Sequence, residues 1–223
     1  MNKLKPSLRY MLLTFRLDQL WMPGVLWALF GLLTVLLKSN GHDYDMARGY
    51  LGAVLPLIAG IQAAYAFLED PALELQFATP RPAWRLMLER LGLIGLTTAL
   101  CALAFQLLTL AVGVDLTPLG SFAAIQMAWL VPTLAMMALG STAAFSLADT
   151  TPGALLVGGI WIIQIVVRNV LADHVVFRYV YLFMGALAPD HSFLHANQIA
   201  VLIEAGLLLA LGWMLFKRQE RYL

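Results

Sequence analysis

Long apolar runs separated by short polar stretches dominate the hydropathy pattern of this chain. A bilayer core of about 30 Å requires about 20 apolar residues in an α-helix. Six runs approach this length, and turn-forming or charged residues separate them, as at Asn40-Gly41. The pattern predicts an all-α polytopic membrane protein with six transmembrane helices in a single domain. The predicted spans cover residues 20–37, 50–67, 91–112, 122–145, 154–167 and 198–216.

Two further segments have apolar patterns that are not those of a span. Over residues 1–19, apolar residues recur at three and four residue spacing with basic residues between them, which predicts an amphipathic interfacial helix. Arg9, Arg16 and Asp18 interrupt any signal-peptide core there, so we expect this segment to be retained. Residues 168–196 mix short apolar pieces with charged residues, and they predict re-entrant or external helices before the last span.

Composition agrees with this picture and excludes other classes of protein. The chain is 61% hydrophobic and only 12% charged, roughly half the charged fraction of a soluble domain. A net charge of +1 without a long basic run argues against nucleic-acid binding, which depends on many phosphate-neutralising cations. Cys101 is the single cysteine, so no disulfide can form within one chain.

The distribution of lysine and arginine predicts the orientation. Cytoplasmic flanks carry the excess of these residues. With the N-terminus inside, four basic residues fall outside, namely Lys38, Arg48, Arg168 and Arg178, and the others fall inside. We therefore expect a multi-pass protein of the inner (plasma) membrane with both termini cytoplasmic. This orientation also places the loop after the second span in the cytoplasm.

That cytoplasmic loop carries the signals of a short helix between rigid elements. Asp70-Pro71 is a helix-start signal, and Pro80 disfavours helical geometry at Thr79. The predicted helix covers residues 70–78, with Leu73 and Phe77 on one side. Such a helix could press against a partner, and the alternative is a capped surface turn.

The same loop resembles a family pattern. The run from Glu69 to Pro80, followed by Trp84-Arg85-Leu86, resembles the loop after the second span in type-2 ABC exporter permeases, and the basic tail 216–223 is similar to the ending common in that family. The resemblance implies that the helix is a coupling helix that docks on a nucleotide-binding ATPase subunit, in a dimer with a second permease copy or a homologous permease. The residues it implies for ATPase binding are Asp70, Pro71, Leu73, Glu74, Phe77, Thr79 and Pro80.

The chain is not expected to hydrolyse ATP itself. No lysine follows glycine in a phosphate-binding loop of the G-x-x-x-x-G-K-[ST] type. We therefore expect a transport subunit that is not an enzyme and has no cofactor of its own, with ATP and Mg bound by the partner subunit.

Glu204 is the ionisable residue deep inside a predicted span. A charged side chain at this depth costs on the order of 2.5 kcal/mol or more on insertion scales, so we expect it to face protein or water. Arg168, at the end of the fifth span, is a candidate partner. A structural pairing and a role in substrate passage both remain open. One glutamine in each of spans two to five predicts hydrogen bonds between helices: Gln62, Gln106, Gln126 and Gln164.

Glycines and histidines supply the remaining candidates. Glycine permits close helix approach, and in the resembled family the first and fifth spans meet across the dimer. The predicted dimer-packing residues are Gly24, Gly31, Gly158 and Gly159. His191 and His195 beside Asp190 have metal-ligand spacing, but further ligand candidates are not evident and no metal site is predicted.

These features lead to one functional expectation and one alternative. The expectation is an exporter permease that moves a hydrophobic or amphipathic substrate using ATP hydrolysed by a separate subunit. The alternative is a six-span structural or regulatory membrane protein, or a lipid-modifying enzyme, without an ATPase partner.

Overall fold

The structure of the protein is a computed structural model, and it describes residues 18–69 and 83–217. Helices joined by turns make up these residues, and no β-strand occurs among them. The α-helical elements, with α2 including a π-helical turn, are α1 (Asp18–Leu37), α2 (Asp43–Tyr65), α3 (Ala83–Val112), α4 (Phe122–Leu147), α5 (Thr150–Val166), α6 (Arg168–Asp173), α7 (Met184–Leu187) and α8 (Leu194–Phe216).

Five of these helices, α1, α2, α3, α4 and α8, are long and apolar enough to cross a membrane. The apolar helix α5 is shorter, with 17 residues. The chain is therefore an all-helical, polytopic membrane protein, which confirms the predicted class. The interfacial helix expected over residues 1–19 lies outside the described residues, except that α1 already begins at Asp18.

Two helices begin at least seven residues earlier than the hydropathy pattern predicts. The second span was expected at 50–67, but α2 starts at Asp43 inside the polar stretch, where Asp43 and Asp45 complement the positive end of the helix dipole. The third span was expected at 91–112, but its helix continues back to Ala83. Charged first turns are compatible with a helix that emerges from the bilayer, so hydropathy alone underestimates the helix length.

Helix α4 lies at the centre of the bundle. It packs against α2, α5 and α8, and these contacts are more extensive than those of α1 or α3. Met136 and Phe145 on α4 are fully buried. Helix α1 contacts mainly α2 and α3 and leaves most of its surface exposed. The core is thus built by four helices, and α1 and α3 flank it.

Small residues allow the core helices to approach closely. A Cβ built on Gly140 of α4 would overlap the carbonyl oxygen of Gly60 in α2. A Cβ on Gly153 of α5 would lie 2.9 Å from the backbone nitrogen of Ala144. Because lipid does not drive helices together as water does, such van der Waals packing is a main source of stability in a membrane protein.

The spans divide the molecule into two ends. We call the end that carries residues 66–69, the start of α3 and the end of α8 the loop end. The other end carries residues 38–42, 113–121 and 167–193, and we call it the opposite end. The segment before α8 contains the short helices α6 and α7 and a 3-10 turn at Phe177–Tyr179. Its external or re-entrant placement stays a prediction.

Candidate functional site

An aromatic cluster ties three helices together at the loop end. Phe67 follows α2, Phe145 lies near the end of α4, and Phe216 ends α8. The ring centroids lie 5.0 Å apart for Phe67–Phe145, 5.5 Å for Phe67–Phe216 and 4.8 Å for Phe145–Phe216, and all three side chains are fully buried. These spacings are typical of favourable aromatic pairs. The cluster packs the end of α2, just before the loop that resembles a coupling helix, against α4 and α8.

Polar contacts hold the chain just before that loop. Arg90 of α3 donates a hydrogen bond to the carbonyl oxygen of Ala66, and its guanidinium lies 5.9 Å from the Phe67 ring centroid. Closer to the loop, the Thr150 hydroxyl at the start of α5 donates to a carboxylate oxygen of Glu69 at 3.2 Å. The chain therefore enters the loop from a position bonded to α3 and α5.

The predicted coupling residues themselves lie outside the described residues. This applies to Asp70, Pro71, Leu73, Glu74, Phe77, Thr79 and Pro80. The structure thus describes the base on which the segment is mounted, and the coupling assignment stays a prediction.

Glu204 lies halfway along α8, at the border between its buried and exposed faces. Val201 and Ala205 beside it are buried, whereas Ile203 and Leu207 are exposed. Glu204 is itself half-buried and forms no ion pair with Arg168 in the described part of the chain. The carboxyl group therefore sits at the surface of the single chain, at the depth of the membrane.

Arg168 lies instead beside the segment that precedes α8. It is exposed at the start of α6, close enough to Tyr181 to lower the pKa of that phenol. Burial acts more strongly in the other direction and raises the Tyr181 pKa to about 12. At the same end, hydrogen bonds from the side chain and backbone of Thr117 lower the pKa of the exposed Asp115.

The glutamine prediction is confirmed for one pair of spans. The Gln126 amide nitrogen on α4 donates to the Gln106 side-chain oxygen on α3 at 2.7 Å. The Trp129 indole nitrogen donates to the Gln126 oxygen at 2.9 Å. The first bond links α3 to α4 of the core, and the second lies within α4 and orients the Gln126 side chain.

Gln164 performs a different task from the one expected. Its amide nitrogen donates to the carbonyl oxygen of Val180 at 3.0 Å, and its side-chain oxygen accepts from the Leu182 backbone at 2.8 Å. From α8, Asn197 donates to the carbonyl oxygens of Arg178 and Tyr181. Two amides therefore fasten residues 178–182 to α5 and α8. Sequence reasoning missed Asn197, whose only signal is a polar residue at the start of a span.

Sequence reasoning also missed a bond between α5 and a π-helical turn in α2. Residues Tyr50–Val54 form a π-helix, and the Trp161 indole nitrogen donates to the carbonyl oxygen of Ala53 at 2.9 Å. A π-turn disturbs the i to i−4 pattern of backbone bonds, and such turns are frequent at functional sites. Next to it, a Cβ on Gly52 would overlap the Ala186 side chain of α7.

The four glycines predicted for dimer packing have different surroundings. Gly31 is buried, and a Cβ there would lie 2.8 Å from a Leu108 methyl group of α3. Gly24, Gly158 and Gly159 have no atom within 4 Å of a built Cβ. Gly31 therefore serves packing within the chain, and the other three leave open surface.

The described residues contain no group of three or more histidine, cysteine, aspartate or glutamate side chains that could hold a metal ion. The polar groups at the opposite end include an ion pair between Arg48 and Asp45 at 2.8 Å.

Comparison with known proteins found no matching family model, no matching curated protein and no matching solved structure. Any functional assignment therefore depends on the residues and the fold alone.

Proposed function

We propose that this chain is the membrane permease subunit of an ATP-binding-cassette exporter. It moves a hydrophobic or amphipathic substrate across the membrane, and a separate nucleotide-binding subunit binds ATP and Mg and hydrolyses the nucleotide. The observation that carries the proposal is the mounting of the loop that resembles a coupling helix. The stretch that leads into this loop is bonded to two helices, at Ala66 by Arg90 of α3 and at Glu69 by Thr150 of α5.

This mounting supports a mechanism of energy transfer. A push on residues 70–78 reaches Glu69 directly and is passed to α5 through Thr150. It also reaches Phe67, whose ring packs on α4 and α8 through Phe145 and Phe216. Packed aromatic rings transmit displacement well because protein interiors have low compressibility. In this proposal, ATP-driven closure of the partner ATPase moves several spans together and opens the path.

In the proposed topology, six spans cross the inner (plasma) membrane of the cell, and both termini lie in the cytoplasm. Helix α5 is then the fifth span, although its 17 residues extend only about 25 Å at 1.5 Å per residue. The basic residues Arg85, Arg90 and Lys217 at the loop end support this orientation under the positive-inside rule.

The complete transporter contains two permease chains. A carboxyl group at membrane depth is costly unless protein or water surrounds it. Glu204 lies at the surface of the single chain without an ion pair to Arg168, so the proposal places it either against the second permease copy or beside the substrate path.

The proposal is tested through the ATPase partner. The chain carrying Leu73→Ala and Phe77→Ala is expected to reach the membrane at normal levels but to lose at least about 90% of the ATPase activity that co-purifies with it, because truncating two apolar anchors removes most contact energy at a small interface. Leu75→Ala is the matched control, since its position points away from the other two on a helix. The measurement is ATP hydrolysis by the tagged chain after gentle solubilisation from its native host.

Either of two results would contradict the proposal. One is a chain that co-purifies with no ATPase at all, which would favour the structural, regulatory or lipid-modifying alternative. The other is an ATPase whose association survives the double substitution, which would remove the coupling role of residues 70–78.

A further inference from the structure

The carboxyl group of Glu204 lies midway along α8 without a partner in the described part of the chain. About 15 Å of helix separate Glu204 from the start of α8 at Leu194, and about 18 Å separate it from the end at Phe216. Its side chain is half-buried and forms no hydrogen bond or ion pair with a described residue. Because a carboxyl group at membrane depth is costly when nothing compensates it, we look for its partner outside the described chain.

Glu204 faces a gap between α5 and α8. Both helices pack on α4, but they have few contacts with each other. Seven residues are close to two helical turns, so Glu204 lies on the same face of α8 as Asn197. Asn197 donates to two carbonyl oxygens of the segment 178–182, and Gln164 of α5 bonds to the same segment. This face of α8 is therefore turned toward α5, and the segment 178–182 closes the gap at the opposite end.

The surroundings of the gap are apolar, and one side is open. Val157 of α5, Ala135 of α4 and Val201 of α8 belong to one buried apolar cluster. Leu207, one turn from Glu204 on α8, is exposed where lipid would surround the helix. A molecule dissolved in the lipid can therefore reach the carboxyl group from the side, without passing through the core.

The two arginines at the opposite end do not supply the missing positive charge. The Arg178 guanidinium lies 3.5 Å from the ring centroid of Phe193, which precedes α8. Phe193 is about 16 Å from Glu204 along the helix axis. Arg168 is exposed at the start of α6 and forms no ion pair with Glu204.

These features define the class of molecule that fits the gap. A carboxylate favours a cation, and apolar walls favour an apolar body, since ligand sites are mostly apolar with a few polar groups that fix orientation. A hydrated metal ion does not enter at this depth because its desolvation is too costly. A lipid headgroup stays at the membrane surface, about 15 Å from Glu204. An organic cation that dissolves in lipid meets both requirements.

We propose that the gap between α5 and α8 binds lipid-soluble organic cations, with Glu204 as their counter-charge. Such molecules carry one positive centre, for example an ammonium or phosphonium group, on an apolar body. In the exporter proposed above they are the substrate, and this part of the inference rests on the proposed function. Binding itself needs only the folded chain.

The test measures binding of radiolabelled tetraphenylphosphonium to the full chain in phosphatidylcholine nanodiscs. Excess unlabelled cation defines the saturable part, and tetraphenylborate, an anion of nearly the same shape, is the competitor that controls for apolar partitioning. Glu204→Gln removes the charge with little change in shape, and Glu204→Asp keeps it. Glu89→Gln is the matched control because Glu89 is exposed on α3 at the loop end. Equal membrane levels and elution volumes show that each variant is folded.

We expect saturable binding by the unchanged chain and by Glu89→Gln, without competition by tetraphenylborate. In Glu204→Gln the affinity is expected to fall at least about tenfold, because one partner of a desolvated charge pair is lost. Glu204→Asp should recover part of that loss. Equal affinities of the unchanged chain and Glu204→Gln would overturn the inference, and so would the absence of saturable binding by the unchanged chain.

A second readout separates this inference from the exporter proposal. Where an ATPase co-purifies, the cation is expected to stimulate ATP hydrolysis with the unchanged chain but not with Glu204→Gln. Binding that depends on Glu204 in a chain without an ATPase partner would contradict the exporter and leave the cation site standing. An ATPase that depends on Leu73 and Phe77, together with equal cation binding by Glu204→Gln, would support the exporter and overturn the cation site.

Discussion

At the scale of single residues, the tertiary hydrogen bonds show how this protein satisfies polar backbone in a low-dielectric environment. An unpaired backbone group in lipid costs several kcal/mol. The Ala53 carbonyl belongs to the π-helical turn of α2 and accepts from the Trp161 indole of α5. The indole therefore compensates for the irregular turn and joins two core helices at the same time.

Replacing Trp161 is expected to destabilise the fold measurably. Trp161→Phe keeps an aromatic ring but removes the donor to Ala53, and we expect a loss of about 1 kcal/mol, close to the measured value of interhelical bonds in membranes. The measurement is the free energy of unfolding in mixed micelles. Trp21→Phe is the matched control because Trp21 is exposed on α1. Equal losses in the two variants would show that the bond does not contribute.

At the scale of helices, the close contact between α2 and α4 determines the geometry of the core. Gly140 and Gly60 face each other with no room for a Cβ. We expect Gly140→Ala to destabilise the protein by about 1–3 kcal/mol, because the helices must move apart or strain. The same unfolding measurement applies, with Gly92→Ala as control, since nothing lies within 4 Å of a Cβ at Gly92. A neutral or stabilising Gly140→Ala would mean that the two helices are not held at this distance.

The sequence predicts where the long helices lie along the chain, but it does not predict which helices contact each other. Runs of apolar residues report directly on a lipid environment, so the positions of the long helices follow from hydropathy. Their contacts do not, because nothing in the pattern indicates that Gly31 packs on Leu108 within the chain while Gly158 stays open. The π-helical turn in α2 was also not predicted, and its Ala53 carbonyl is bonded by Trp161 from a distant part of the chain.

Sequence reasoning predicts only part of the candidate site, because the rest depends on contacts between residues that are distant in the chain. The loop over residues 70–80 has local helix-start and helix-stop signals, and these are visible without a fold. Its mounting depends on Thr150 and Phe145, which are more than 60 residues away in the chain. Long-range contacts of this kind arise from the packing of helices, which a one-dimensional pattern does not encode.

At the scale of the whole molecule, the distribution of open surface bears on assembly. Helix α1 and the middle of α5 expose glycines with free space around them, at Gly24, Gly158 and Gly159. In lipid, small residues on a helix face allow another helix to approach closely. A second copy of this chain in the proposed transporter would use these positions, whereas a monomer would leave them to lipid.

Cross-linking distinguishes these two arrangements. In the Cys101→Ser background, Gly158→Cys is expected to form a covalent dimer several-fold more efficiently than Leu110→Cys when membranes are oxidised. The reason is that a bridge requires the two Cα atoms to come within about 7 Å. Leu110 is 75% exposed on α3, so the control cysteine is accessible but lies away from the proposed interface. The measurement is the dimer fraction on a non-reducing gel.

The Leu110→Cys variant controls for cross-links that form by random collision. Random collisions in a crowded membrane would cross-link both positions, and the exposed control would then react at least as strongly. Preferential bridging at Gly158 requires a defined interface that includes α5. Bridging at neither position, with both thiols reactive toward a maleimide, would contradict a homodimer through this face, and the open glycines would then belong to a lipid-facing surface or to contact with a different permease chain.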